Sequence, residues 1–253
     1  MIDSIPRKLS EQPLRVLQAL ADQIMHRLEL RASMRDLAAA TVRAVELERY
    51  LKTYTARSVW QRLSAVIDGH AAGPVGEHVG QTYMFADVCG FTSLSSGADP
   101  ELVARALNWY MGAAVEQIHG HGGDVEKFLG DGIFAVFDDP CAASSAALAI
   151  QLVCREQAAK AEDAGLPALE MSIGVHTGAA IRVHVGNTSR RDNTLIGEAI
   201  NIAARLEGSC PPGAVLISDA AYAVASCSLA VSRSFHLSLK GIEAPVLVHQ
   251  LRP

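Results

Sequence analysis

Three features of the chain predict an α/β (α+β) fold, a ferredoxin-like central sheet with flanking helices behind an N-terminal helical segment. From Gln81 onward, short apolar runs alternate with helical stretches. Those stretches follow the order strand–helix–strand–strand–helix–strand, which is that of a ferredoxin-like sheet. Ahead of them, residues 13–67 carry helical periodicity throughout.

In the N-terminal segment, Leu14, Leu17, Ala21, Ile24 and Leu28 keep the three-four spacing of an apolar seam. The register then meets Arg31 and Arg35, and a displaced seam resumes through Met34, Leu37, Thr41, Ala44 and Leu51. A change of phase predicts either two helices or one coiled-coil linker with a stutter. The stretch "LRVLQALADQIMHRLELR" resembles the last helix of GAF sensor domains, which implies an upstream sensor; an amphipathic helix packed on its own domain reads equally well. The Gly-rich, aperiodic "DGHAAGPVGEHVG" marks a boundary. The expected domains are a helical segment 1–68, a linker 69–80 and a second domain 81–253.

Within that domain "QTYMFADV" reads as a strand and "GFTSLSSGA" as a loop. The helix from Pro100 has Asp99 as N-cap, proline at its first position and glycines at its end. "DVEKFL" and "GIFAVFDD" read as strands split by Gly130-Asp131-Gly132, followed by an Ala-rich helix from Pro140 to about Ala164. "LEMSIGVHT" and "AAIRVHVG" read as two strands, "GEAINIAARLEGS" as a helix, and short elements close the chain.

At 253 residues and nearly half apolar, the chain has ample material for a core. Its net charge of -5 and lack of a basic run argue against a nucleic-acid surface, while leaving room for an anionic small substrate in a locally positive pocket. No apolar run approaches the roughly 20 residues of a membrane span, and "MIDSIPRKLSEQ" lacks a signal-peptide core. Five widely spaced cysteines without a C-x-x-C pair read as reduced thiols of a cytoplasmic protein.

Chemistry concentrates at strand ends. Asp87 closes an apolar strand, and a charge there calls for a partner such as a metal ion. The amides of Cys89, Gly90, Phe91 and Thr92 suit an anion nest for phosphates. Asp131 sits in a second tight turn, so the two aspartates together would suit Mg²⁺ or Mn²⁺ with substrate phosphates. Asn201 and Arg205 stand one helical turn apart, an amide and a guanidinium suited to a ribose and a strained phosphate.

Four ordered motifs, "FADVCGFT", "GGDVEKFLGDGIFAVF", "IGVHTG" and "GEAINIAARLEG", resemble the catalytic domain of class III adenylyl/guanylyl cyclases, from about Tyr83 to Leu251. The resemblance implies Asp87 and Asp131, with Val88, as the metal set for two Mg²⁺ or Mn²⁺ ions. It implies Lys127 as the residue reading adenine, Asn201 as the ribose-orienting group and Arg205 as the transition-state group. Lys240 in "SLKG" matches a position that holds the terminal phosphate in some members. Thr194 falls where adenylyl cyclases often carry Asp and guanylyl cyclases Cys, resembling the bicarbonate-responsive subclass. Glu198 replaces a common Asp, and Val183-His184-Val185-Gly186 replaces the usual "GNVG".

The resemblance further implies a head-to-tail homodimer with shared sites, where Asp131 serves one site and Lys127 the other. ATP is then the expected substrate and 3′,5′-cyclic AMP the product. The alternatives are a guanylyl cyclase and a catalytically silent regulatory module. "GGDVE" is also similar to the diguanylate cyclase signature, but its fourth and fifth positions differ and the Asn/Arg helix belongs to the other family.

Overall fold

Alternating side chains on neighbouring strands decide how the sheet is covered. On β1 (Glu77–Val88), Met84, Ala86 and Val88 enter one core while Tyr83 enters the other. On β3 (Gly132–Phe137), Ile133, Ala135 and Phe137 join the first core, and Phe134 and Val136 the second. Every residue of β3 is buried, as expected of a strand covered on both faces. The computed structural model describes residues 11–68, 76–187, 191–225 and 227–252, without the side chains of Val66 and Arg191.

The first core is closed by α4 (Pro100–Gly120) and α5 (Pro140–Lys160), through Tyr110, Ile118, Ala146 and Ile150. α4 starts at the expected cap, Asp99 accepting from the Glu101 amide, and α5 is capped in the same way by Asp139, which accepts from the amides of Cys141 and Ala142. The second core is closed by α6 (Glu198–Glu207), through Ala199 and Ala203.

With β2 (Asp124–Leu129), β4 (Met171–Gly186), β6 (Val215–Ser218), β8 (Val246–Leu251) and β7 (Val231–Leu237), the sheet order is β2-β3-β1-β4-β6-β8-β7. β5 (Arg191–Ile196) pairs β4 off this path. The first four strands pair antiparallel in the order 2-3-1-4, which is the expected ferredoxin-like arrangement. Short helices α3 (Phe91–Gly97) and α7 (Asp219–Val224) complete the set.

Several elements differ from the sequence reading. The two strands expected on either side of Gly178 are one 16-residue strand, β4. "GFTSLSSGA" holds the helix α3 rather than a loop. Val183–Gly186, which replaces the usual "GNVG", extends β4 as the partner of β5. Cys141 and Cys227 form a disulfide with Cα atoms 5.8 Å apart, against the expectation of five reduced thiols, and Cys89, Cys154 and Cys210 are free. Folding brings together two residues 86 positions apart, which no local spacing reveals.

The chain divides into two units, Met1–Tyr54 and Thr55–Pro253. The first contains α1 (Glu11–Tyr54), one helix of 44 residues that runs through Arg31 without a break and leaves Leu17, Ile24, Leu28 and Leu37 exposed. The helix ends ahead of Thr55-Ala56, and α2 (Arg57–Ile67) groups with the sheet. Asp124 at the start of β2 caps α2, accepting from the amides of Arg57 (3.2 Å) and Ser58 (2.9 Å). β1 begins at Glu77, inside the segment expected as linker. Among the described residues no helix is long and apolar enough to cross a membrane.

Candidate active site

Asp87 and Asp131 are brought together by strand register. Asp87 lies opposite Gly132 in the β1–β3 ladder, and the Val88 amide donates to the Asp131 carbonyl at 3.3 Å. A Cβ on Gly132 would stand 2.9 Å from Asp87 Oδ1, so glycine is what leaves the carboxylate its room. Burial, and then the Asp131 charge, push Asp87 above the usual carboxylate range; a backbone hydrogen bond from Val88 opposes the rise. Two hard oxygen donors that repel one another suit a divalent cation whose other ligands come from phosphate and water. The chemistry of this donor set fits Mg²⁺ or Mn²⁺. Among the described residues no group of three or more His, Cys, Asp or Glu side chains could hold a metal ion.

The sequence reading missed a third acid close to the pair. Glu207, at the end of α6, is pushed up to about 7 by burial and then by the Asp87 and Asp131 charges. Its signal was its place two residues after Arg205 in "ARLEG".

Of the expected phosphate nest, Cys89 is not available through its amide, which donates to the Glu170 carbonyl at 2.8 Å. Gly90 adopts a left-handed conformation (φ 75°) that starts α3, with Phe91 and Thr92 in its first turn and no side chain capping it.

Asn201 and Arg205 owe their position to close packing of α6 on β4. Gly174 and Gly178, four residues apart, share one face of β4. An added Cβ would lie 2.6 Å from the Ala203 carbonyl at Gly174 and 2.7 Å from Ala199 Cβ at Gly178. The "IGVHTG" motif therefore works as a flat seat for the Ala199/Ala203 face of α6, which lies two residues, about 200° around the helix, from Asn201 and Arg205. The Arg205 guanidinium lies against the turn after Lys240: a Cβ on Gly241 would be 3.4 Å from Nη2. Lys240 itself is exposed.

Lys127, although close in sequence to Asp131, finds its partners on β5. Its ammonium bonds to Thr194 Oγ1 at 3.2 Å and pairs with Asp192. The two residues expected to read the base thus meet within one chain, across the gap between β2 and β5. Asp192 was missed by sequence reasoning, although it stands two residues before Thr194 on the same strand. Behind Lys127, Glu126 turns inward and forms a two-pronged bond with Arg182 at 2.8 and 3.1 Å, both side chains at most 5% exposed. A cavity of about 230 Å³, lined by Ser58, Gln81, Asp124 and Arg182 among others, lies at the opposite end of β1 and β3 from Asp87.

Comparison with known proteins points to one family. Residues 76–252 match the family described as "Adenylate and Guanylate cyclase catalytic domain". The adenylate cyclase of Anabaena cylindrica is 38% identical over 133 residues, 50% of this chain and 26% of that protein. Adenylate cyclase 1 of Rhizobium meliloti (strain 1021) is 33% identical over 147 residues, 55% of this chain and 22% of that protein. The chain therefore spans about a quarter of the length of these curated relatives. Among solved structures, the guanylyl cyclase Cya2 superposes with a TM-score of 0.67 at 31% identity, covering 70% of this chain and 94% of that one. The adenylyl cyclase CyaB from P. aeruginosa gives 0.67 at 27% identity, with 71% and 97% covered. With the family match spanning most of its length, the chain belongs to the adenylate and guanylate cyclase catalytic-domain family.

Proposed function

We propose that this chain is an adenylate cyclase, converting ATP to 3′,5′-cyclic AMP and pyrophosphate at sites shared between two copies. The observation that carries the choice of base is the 3.2 Å bond between Lys127 and Thr194. An ammonium donates, so it suits the unprotonated ring nitrogen of adenine at N1, where guanine presents an N–H instead. The ribose 3′-oxygen bonds to the α-phosphorus as the bond to pyrophosphate breaks, and the hydroxyl proton passes to solvent. Arg205 donates to the phosphoryl oxygens as charge builds on them; losing such a donor costs about 10²–10³-fold in rate. Asn201 holds the ribose in attack geometry. Gly90, Phe91 and Thr92 provide amides to the phosphates, and Lys240 the terminal charge. Asp87 and Asp131, with the Val88 backbone, are assigned to two Mg²⁺ or Mn²⁺ ions. Bound there, the ions supply charge neutralisation and activation of the attacking hydroxyl.

The Asp87/Asp131 pair and the Lys127–Thr194 pair are assigned to opposite sites of a homodimer, which resolves why one hairpin holds both Lys127 and Asp131. The exposed apolar residues of α1 fit a linker from an upstream sensor. An ATP substrate places this unit in the cytoplasm, although the Cys141–Cys227 disulfide removes cysteine usage as an argument for it. The likeness to Cya2 keeps GTP as a second reading. Parallel assays of purified protein with Mn²⁺ and either ATP or GTP decide the matter: cyclic AMP as main product supports the proposal, cyclic GMP as main product the second reading, and neither a silent module. Asp87→Ala is the control that abolishes product.

A further inference from the structure

A lysine ammonium has three N–H donors on a flexible stem, and freezing that stem costs up to about 2 kcal/mol. In this chain two of the three are already spent, on Asp192 and on Thr194. The two acceptors sit at i and i+2 of β5 and so point to the same side of the strand. That side faces the edge strand β2, where Lys127 follows a register shift between Val125 and Lys127. β5 is itself held by β4, with Val185 opposite Asp192 and Val183 opposite Thr194. Asp131, only four residues from Lys127, is not the partner that this geometry selects.

We propose that Asp192 is a positioning residue of the base-reading pair: with Thr194 it anchors the Lys127 ammonium, so that the third N–H is presented to the ring-nitrogen acceptor of a purine. The inference rests on the adenylate cyclase reading and deepens it. Thr194 alone fixes one direction of a rotating ammonium, whereas two acceptors fix its tripod and leave one defined donor. The cost of ordering Lys127 is then met before the nucleotide arrives, which strengthens binding without adding a contact. Stability gains little from the pair, because Asp192 is 62% exposed and exposed pairs contribute about 0–1 kcal/mol. Its consequence therefore lies in the nucleotide, not in the fold.

The test is a double-mutant cycle on the full chain, with KM, kcat and the ATP:GTP ratio as readouts. Asp192→Ala is expected to raise KM for ATP about 3–10-fold, one hydrogen bond's worth, with kcat within about twofold. The ATP:GTP preference should fall, because a released ammonium also reaches the guanine O6 acceptor. Asp192→Glu should restore most of both. With Lys127→Ala already in place, Asp192→Ala should change KM by less than about twofold, since its route of action is gone. Effects that multiply independently of Lys127, or an unchanged KM and selectivity in Asp192→Ala, overturn the proposal while leaving the cyclase reading intact. A wild-type chain that forms no cyclic AMP overturns both.

Discussion

At the scale of single residues, the base pocket is the place where one side chain's chemistry reaches a substrate choice. Lys127 donates and Thr194 turns that donor toward the pocket, so the pair favours a ring nitrogen that accepts. Replacing both, as Lys127→Glu with Thr194→Cys, substitutes an acceptor and is expected to lower ATP turnover at least tenfold while raising relative use of GTP. Some total activity will be lost with the original packing. An unchanged ATP:GTP ratio in a folded double mutant would falsify the assignment. His176 offers a second residue-scale prediction. Its ring is buried against Ser218 Oγ, with Nδ1 at 2.6 Å, and burial lowers its pKa from 6.5 to about 4. As pH falls, the unfolded chain takes up this proton first. The associated stability is thus complete above about 6.5, is lost between there and about 4, and does not change further below. The shift corresponds to about 3 kcal/mol. Melting curves at pH 7.5 and 5 should show a larger drop for the wild type than for His176→Asn, which keeps a polar partner for Ser218. Equal drops would remove His176 from the acid response.

At the scale of elements, α6 and β4 meet through backbone rather than through large side chains. Gly174→Ala drives a methyl into the Ala203 carbonyl, and overpacking of that kind costs about 1–3 kcal/mol. Because α6 carries Asn201 and Arg205, a shift near 1 Å should lower kcat by about 10²-fold. Gly112→Ala is the contrast: nothing lies within 4 Å of its added Cβ, and a helix interior gains up to about 1 kcal/mol. Comparable kcat values in the two variants would contradict the seat assigned to Gly174. The same contact explains what could be read from the sequence and what could not. β1, β2, β3 and the capped start of α4 were legible, because short apolar runs broken by turn residues and the Asp99-Pro100 cap are local signals. The middle of β4 was not, because Thr177-Gly178-Ala179 looks like a turn until α6 is known to lie on it. β5 was hidden for a related reason: "RDNTLI" is polar, and only its register with β4 makes it a strand.

At the scale of the whole molecule, the residues assigned to one reaction fall into two groups. Asp87 and Asp131 were legible as strand-end carboxylates, and register brings them together within one chain. Lys127 and Thr194 also meet within one chain, 67 residues apart in sequence, which spacing alone could not reveal. Asp192 and Glu207 were missed because each owes its place to tertiary neighbours rather than to its own motif. In the proposed homodimer each working site takes its carboxylates from one copy and its Asn201/Arg205 helix from the other. Complementation tests this most directly. Asp87→Ala and Arg205→Ala should each be nearly inactive alone. In an equal, exchanged mixture about half of the dimers are mixed by random association, each with one intact and one doubly damaged site. Cyclic AMP formation should therefore return to about a quarter of the wild-type rate, with exchange confirmed by pull-down of a tagged copy. Exchange without recovered activity would contradict the shared site.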